Sequence, residues 1–306
     1  MLITGGSGFL GTALANFFSA QGQQIRVLDL DSFEGSGSNI KWVQGTTLDS
    51  DLLDIEMAKA ETFIHLAGTL GTSETLDEPI AAVNINIIGG LKVLKSAADH
   101  GVKGLNITVG NHTMLNPYSI TKSTVERFTS MYNTYFDGNV QNVRLFNVYG
   151  PGQSICKPYG DSDVRKFIPH AICHALVEHE IEIYGNGEQL IDLVHIDDTC
   201  RAIGRILSNP FTADGSVQEV GTGIAISVKS AAEIIAKHIS ELTGRPIKIT
   251  HLPLRNGEMP NIPIVASNPV SLSGDDQSRE YINFETGIRD TVEYYRKHLV
   301  AKGMIA

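Results

Sequence analysis

The stretch Thr4-Gly5-Gly6-Ser7-Gly8-Phe9-Leu10-Gly11 sets Gly5, Gly8 and Gly11 between a short apolar run, Met1 to Thr4, and a helical pattern, Leu10 to Gln21. Glycine at the first position allows a tight turn, at the second lets the backbone approach a pyrophosphate, and at the third lets the helix lie close to the strand. The first N–H groups of that helix then face the phosphates. Gly22 stops the helix, and Ile25 to Leu28 reads as the next strand. Glycine spacing alone is a weak pattern, and here the strand before it and the helix after it supply the dinucleotide reading.

Asp29 closes the second strand, where a carboxylate accepts hydrogen bonds from the adenosine ribose hydroxyls and repels a 2'-phosphate. The expected cofactor is therefore NAD. Asp31 and Glu34 follow with no basic residue among them, and Arg26 is the one nearby cation that could argue for NADP. The competing reading of Asp29 is a helix cap or a solvated acid.

The 306 residues are 42% apolar and 19% charged, and the sequence reads as having no long apolar run, signal peptide or low-complexity tail, which fits the expectation of a soluble enzyme. A net charge of -10 argues against nonspecific binding to nucleic acid or to an anionic membrane. It leaves anionic small molecules open, because binding sites are local. The cysteines, Cys156, Cys173 and Cys200, are odd in number and lack metal-like spacing, so a reducing, cytoplasmic setting is expected.

Strand patterns recur at Ile40 to Gln44, Thr62 to Leu66, Leu105 to Val109 and Val140 to Phe146, with helical patterns at Ile80 to His100 and Ser119 to Phe136. This alternation predicts an α/β fold, a doubly wound parallel sheet of Rossmann type over residues 1–150. From Gly150 prolines and glycines break the rhythm. A smaller C-terminal α/β substrate domain is expected over 151–306, with segments near 191–223 returning to the first. Its elements read as a helix from Ile168, a strand at Ile181 to Tyr184, and helices at Thr199 to Leu207, Val228 to Leu242 and about Thr286 to Leu299.

The chemistry points to Tyr118-Ser119-Ile120-Thr121-Lys122. Four residues apart on a helix, Tyr118 and Lys122 share one face. An ammonium there stabilises phenolate and is expected to lower the tyrosine pKa toward neutrality, making Tyr118 a general acid or base.

At this point the chain resembles the extended short-chain dehydrogenases/reductases, specifically the NAD-dependent nucleotide-sugar epimerase/dehydratase group. The resemblance spans nearly the whole length. Besides the glycine turn and the Tyr/Lys pair, it rests on His65-Leu66-Ala67-Gly68, Asn86 and Arg144-Leu145-Phe146-Asn147-Val148-Tyr149-Gly150-Pro151. Further along it includes Ile183-Tyr184-Gly185-Asn186-Gly187, Val194-His195-Ile196-Asp197-Asp198 and Arg255-Asn256-Gly257-Glu258. It implies that Tyr118 takes a proton from a sugar hydroxyl while NAD accepts hydride from the same carbon, with Lys122 on the nicotinamide ribose. Phe9, Leu10, Leu66, Ala67, Gly68, Asn86 and Phe146 would line the NAD pocket, and Asn147 and Arg255 would hold the nucleotide diphosphate. The resemblance also implies a homodimer that pairs the helices at Ile80 to His100 and Ser119 to Phe136.

Departures narrow this reading. The group's Ser/Thr run at the end of the fifth strand is here Ile107-Thr108-Val109-Gly110-Asn111, so Gly110 stands where the active hydroxyl belongs. Thr108, on the same strand face, is the expected substitute, with Thr113 as the other choice. Only seven residues separate Gly110 from Tyr118, a short cover for the cleft. The acids that mark dehydratases and decarboxylases are missing after Thr108, which favours epimerisation. Ile191 replaces an arginine that normally contacts the diphosphate, leaving Arg255 and Lys166 to serve, or pointing to an unconventional substrate. Thr46 replaces an acid near the adenine.

His170, His174 and Glu178 share a helical spacing that metals use, but such a face is usually solvated, and no metal is expected. Gly89 and Gly90 read as close helix packing. The leading expectation is an NAD-dependent epimerase of a nucleotide-linked sugar. A reductase, dehydrogenase or dehydratase of the same fold is the alternative among enzymes, and a non-catalytic NAD-binding sensor or scaffold is the alternative outside them.

Overall fold

A computed structural model describes residues 1–212, 216–258, 262–273 and 280–305. Its first strand, β1 (Leu2–Thr4), is only three residues long and wholly buried, as a central parallel strand covered on both faces must be. The chain continues through α1 (Phe9–Ala20), β2 (Ile25–Asp29), β3 (Ile40–Gln44), α2 (Ser50–Met57) and β4 (Thr62–His65). Short helices α3 (Glu74–Asp77) and α4 (Pro79–Ala82) lead through a π-helical stretch, Val83–Ile88, into α5 (Gly89–His100). Then come β5 (Lys103–Val109), α6 (Pro117–Tyr135), β6 (Val140–Leu145) and β7 (Asn147–Tyr149). The remainder comprises α7 (Phe167–Glu178), β8 (Glu180–Tyr184), β9 (Leu190–Ile191), β10 (Leu193–His195), α8 (Ile196–Ser208), β11 (Val217–Val220), β12 (Ile226–Ser227), α9 (Val228–Thr243), β13 (Lys248–Leu252) and α10 (Phe284–Ala301).

Seven strands form one parallel sheet in the order β11-β6-β5-β4-β1-β2-β3. The chain winds outward one way from β1 through β2 to β3 and the other way from β4 through β5, so the order reverses between β1 and β4. A crevice opens at the carboxyl ends of strands at such a reversal, and that is where α/β proteins of this type bind ligands.

Apolar side chains from α1 and α8, among them Leu14, Phe18, Ile203 and Ile206, cover one face of the sheet. Leu53, Met57, Val93, Leu94 and Val125 from α2, α5 and α6 cover the other. A third core joins α7, α9 and α10 to β8 through Ile172, Ile183, Ile235 and Val292. Segment 191–223 is divided between them: Ile191 and Leu193 belong to the third core, whereas Ile196 to Val220 pack with the sheet, and β11 adds its edge strand beside β6.

Three features differ from the sequence reading. Helix α2 has no counterpart in it, although the Asp49 carboxylate caps that helix by accepting from Leu52 N at 3.1 Å. The run Pro79–His100 is apolar and long enough, by length and composition, to cross a membrane. It instead buries Gly89, Gly90, Val93, Leu94 and Ala97 against the sheet and α6. A β-carbon on Gly89 would lie 2.5 Å from Thr47 Oγ1, and one on Gly90 3.2 Å from a Val125 methyl, so a larger residue would push the helix away. Finally, the α7 face carrying His170 and His174 is not solvated: His170 is buried and turned toward β8, while Glu178 is exposed.

Candidate active site

The glycine turn lies at the reversal point. Gly5 has φ +70°, donates to Leu28 O at 2.9 Å, and sits so close to the next crossover that a β-carbon would fall 2.5 Å from Ala67 N. Gly11 meets Gly6 Cα at the same hypothetical 2.5 Å, which brings α1 down onto the turn. Gly8 is exposed, and a β-carbon there would meet nothing nearer than Gly5 O at 3.6 Å, so its backbone is open to an approaching ligand. It is also the N-cap of α1, with no side-chain cap and no acid in the first turn. The free N–H groups and positive end of the helix dipole suit a pyrophosphate. Phe9 and Leu10 begin the helix and pack partly into the core beneath it.

Asp29 Oδ2 accepts from Ser7 N at 2.9 Å and Oδ1 from Asp31 N at 3.2 Å, so the acid at the end of β2 is tied to the glycine turn. Arg26 points elsewhere: it is ion-paired with the buried carboxylate of Glu56, which also holds Lys59. That arginine does not offer itself to a 2'-phosphate.

Across the reversal, Leu66 N and Ala67 N both donate to Thr4 O at 3.0 Å, extending β4 toward the crevice. Gly68 is confined, since a β-carbon would lie 2.8 Å from Asn86 Oδ1 and 3.2 Å from Lys122 Nζ. Asn86, buried in the π-helical stretch, accepts from Thr69 N at 2.8 Å and donates to Thr121 Oγ1 at 2.8 Å. The π geometry turns it inward to couple the β4 loop to α6, a use of π-bulges common at functional sites.

Asn116 and Pro117 fix where α6 begins. The buried Asn116 side chain accepts from Ser119 N at 2.9 Å, and Pro117 takes a first-turn position whose missing N–H costs nothing. Tyr118 therefore stands at the positive end of a 19-residue helix, with Lys122 one turn on. Lys122 is 5% exposed and donates to Ile107 O at 3.3 Å. Burial pushes its pKa down to about 8. Burial also pushes Tyr118 up to about 12, the reverse of the expected lowering, because the covered ring leaves the phenolate desolvated.

Thr108 is not aimed at the crevice. Its hydroxyl donates to Glu126 Oε1 at 2.6 Å, two helical turns beyond Tyr118, and Glu126 also receives Arg144 Nε at 2.9 Å and Nη2 at 2.6 Å. This buried ion pair absorbs the group proposed to replace the missing hydroxyl. At Gly110 the reason for glycine is visible: a β-carbon would lie 2.5 Å from Phe146 Cδ1, in the space held by that ring. Thr113, the other choice, is exposed in the following loop, where His112 Nδ1 lies 3.1 Å from Gly110 O.

The C-terminal wall supplies cations. Asn147, on β7 next to the sheet, donates to Asp192 O at 3.2 Å, while Ile191 is 9% exposed in the third core and offers no charge. Arg255 stacks its guanidinium over the Tyr184 ring, 4.7 Å from the centroid, and pairs with Glu258, Nε to Oε1 at 2.8 Å. Arg165, which the sequence reading passed over, lies 4.8 Å from the same ring. Lys166, the N-cap of α7, is close enough that the Arg255 cation adds to burial in lowering its pKa. The adjacent basic pair Arg165-Lys166, just before a helix, was the signal available for this patch.

A Rossmann crevice with an acid closing its second strand and a Tyr/Lys pair on the helix after its fifth defines an NAD-dependent enzyme. The chain belongs to the NAD dependent epimerase/dehydratase family, whose model matches residues 1–221. It is 26% identical to a dTDP-glucose 4,6-dehydratase of Mycolicibacterium smegmatis, over 97% of this chain and 93% of that protein. It is 25% identical to a UDP-glucose 4-epimerase of the same organism, over 96% and 98%. Among solved structures, an epimerase from Methanothermobacter thermautotrophicus superposes with a TM-score of 0.83 at 24% identity, covering 98% of this chain and 93% of that one.

Proposed function

We propose that this protein epimerises a nucleotide-linked sugar through a keto-sugar intermediate. The observation that carries the reading is the Tyr118/Lys122 pair beside a crevice whose connecting segment, Gly110 to Asn116, contains no carboxylate. Elimination of water needs a group to take a carbon-bound proton and one to protonate the departing hydroxyl. Inverting a hydroxyl-bearing carbon through a ketone needs one group to take and return the hydroxyl proton and an acceptor to take the carbon-bound hydride and return it to the opposite face. The dTDP-glucose 4,6-dehydratase relatives favour dehydration as the second reading.

NAD, when bound, would supply a reversible hydride acceptor for the sugar carbon. Gly5, Gly8 and Gly11 with the start of α1 would take its pyrophosphate, and Asp29 its adenosine ribose. Tyr118 holds the proton of the reacting hydroxyl: its phenolate oxygen accepts that proton as the carbonyl forms, and the resulting phenol returns it after the sugar has turned. The helix N-terminus and a protonated Lys122 favour phenolate at the moment of transfer. Asn147, Lys166 and Arg255 hold the diphosphate, standing in for the arginine missing at Ile191.

The protein acts as a homodimer in a reducing, cytoplasmic compartment on this reading. Exposed Ile80 and Val83 before α5, and Ile120 and Tyr135 on α6, offer the pairing surface, and three free cysteines suit the compartment. Light scattering that shows a monomer would remove the dimer.

The experiment is to denature the purified protein without added cofactor, quantify released nicotinamide, and then incubate fresh protein with UDP- and dTDP-hexoses. An epimerase yields near-stoichiometric cofactor and an epimer without accumulating keto product. A 4-keto-6-deoxy product establishes the dehydratase, and net formation of NADH a dehydrogenase.

A further inference from the structure

Three side chains of metal-ligating type converge at the seam of α7 and β8, beside Arg165. His170 and His174, one turn apart on α7, stack with ring centroids 5.3 Å apart and planes inclined by 19°. Glu182, midway along β8, brings Oε2 to 3.7 Å from His170 Nε2. One ligand atom from each of the three lies within 4.8 Å of the others. We propose that His170, His174 and Glu182 bind one divalent transition-metal ion of the zinc class.

A second observation points the same way. His170 is 7% exposed, and its buried Nε2 has only the Glu182 carboxylate at 3.7 Å, beyond hydrogen-bond distance, while the buried Nδ1 of His174 has no hydrogen-bond partner. Orphaned polar atoms this deep are rare unless something else satisfies them. The other nitrogen of His170 is occupied, with Nδ1 at 3.3 Å from Cys156 Sγ, which holds the ring so that Nε2 faces Glu182. Metal-ligating histidines are usually oriented in this manner through their second nitrogen. The Tyr159 ring lies against both imidazoles, at 6.0 and 6.1 Å, and screens the cluster.

The donor set selects the ion. Two imidazoles and one carboxylate suit Zn²⁺ with a water in the fourth position, and disfavour Mg²⁺ or Ca²⁺, which prefer all-oxygen shells. Arg165 Nη1, 3.1 Å from Glu182 Oε2, is the competing cation. It retains Tyr184 OH at 3.0 Å and Glu182 O at 3.3 Å when the carboxylate turns to the metal. Glu180 is committed elsewhere, to Thr250 and Lys248. The bound ion clamps α7 to β8, and so fixes Lys166 at the head of one relative to Tyr184 at the end of the other.

The test titrates Co²⁺ into the full-length, chelator-treated protein and follows the visible d–d bands of low-coordinate cobalt, with thermal melting alongside. One equivalent with intense d–d bands, displaced by Zn²⁺ and accompanied by a higher melting temperature, is expected. His174→Ala should weaken binding by more than the roughly 10–100-fold that losing an outer-shell partner costs. Glu182→Gln, which keeps the side-chain shape, should do the same if His174→Ala fails to fold. Absence of the bands at millimolar Co²⁺, or affinity unchanged in a folded variant, overturns the site. So does binding that Cys156→Ser abolishes while His174→Ala leaves it intact.

Discussion

Gly110→Ser would restore a hydroxyl where the resemblance places one, and it would do so against the ring of Phe146. A β-carbon at Gly110 lies 2.5 Å from Phe146 Cδ1, 2.7 Å from Cε1 and 2.9 Å from Cγ, whereas non-bonded carbons settle at about 3.5–4.0 Å. The ring, 7% exposed, must therefore retreat by roughly 1 Å within a packed site, which as overpacking costs about 1–3 kcal/mol. Phe146→Leu removes the obstructing ring and carries its own cost for the space it leaves. In the double variant the serine has room, so the two costs should fail to add by about 1–2 kcal/mol. Urea unfolding of the four proteins measures this cycle, with NAD binding as the check that each is native at the start. If Gly110→Ser alone stays within about 0.5 kcal/mol of the parent, or the cycle is additive within that margin, Phe146 is not the reason glycine occupies the position.

Three further outcomes follow from the same geometry. Lys122, lowered by burial from 10.5 to about 8, imposes the full cost of a buried charge below pH 8, a cost that fades as pH rises toward 10.5, where the unfolded chain also loses its proton. Lys122→Met should accordingly stabilise the fold at pH 7 by about 1–3 kcal/mol while abolishing turnover, and the gain should shrink by pH 10; a gain independent of pH would refute the cause. Asp29→Ala should weaken NAD binding by roughly 10–100-fold, the worth of hydrogen bonds to a charged group, as calorimetry can measure. Thr108→Val removes one bond to a buried carboxylate that keeps its arginine, so it should cost about 1.5–3 kcal/mol of stability and leave turnover unchanged; a large rate loss would return Thr108 to the chemistry.

The glycine turn, Asp29 and the Tyr118/Lys122 spacing were legible because each depends on residues close in sequence, within one strand–turn–helix unit or one helical turn. Strands such as Ile40–Gln44 were legible for the same reason. Short elements were not: α2, despite its local Asp49 cap, packs on α5 some forty residues later, and β11 is held by β6 some seventy residues earlier. The fate of Thr108 was equally hidden. Strand alternation places it on the α6 side of the sheet, but only the approach of α6 shows that Glu126 is waiting there.

By itself, then, the sequence determined that a glycine turn of dinucleotide-binding type follows the first strand, that an acid closes the second, and that a tyrosine and a lysine share a helix face. These follow from local backbone geometry and the period of the helix. Tertiary structure alone decided which way the tyrosine pKa moves, because desolvation depends on what covers the ring. It also decided that Phe146 excludes a side chain at Gly110, and that His170 and His174 meet Glu182 on a neighbouring strand rather than Glu178 on their own helix. In each case the outcome rests on groups distant in the chain arriving at the same few ångströms of space, which no local pattern records.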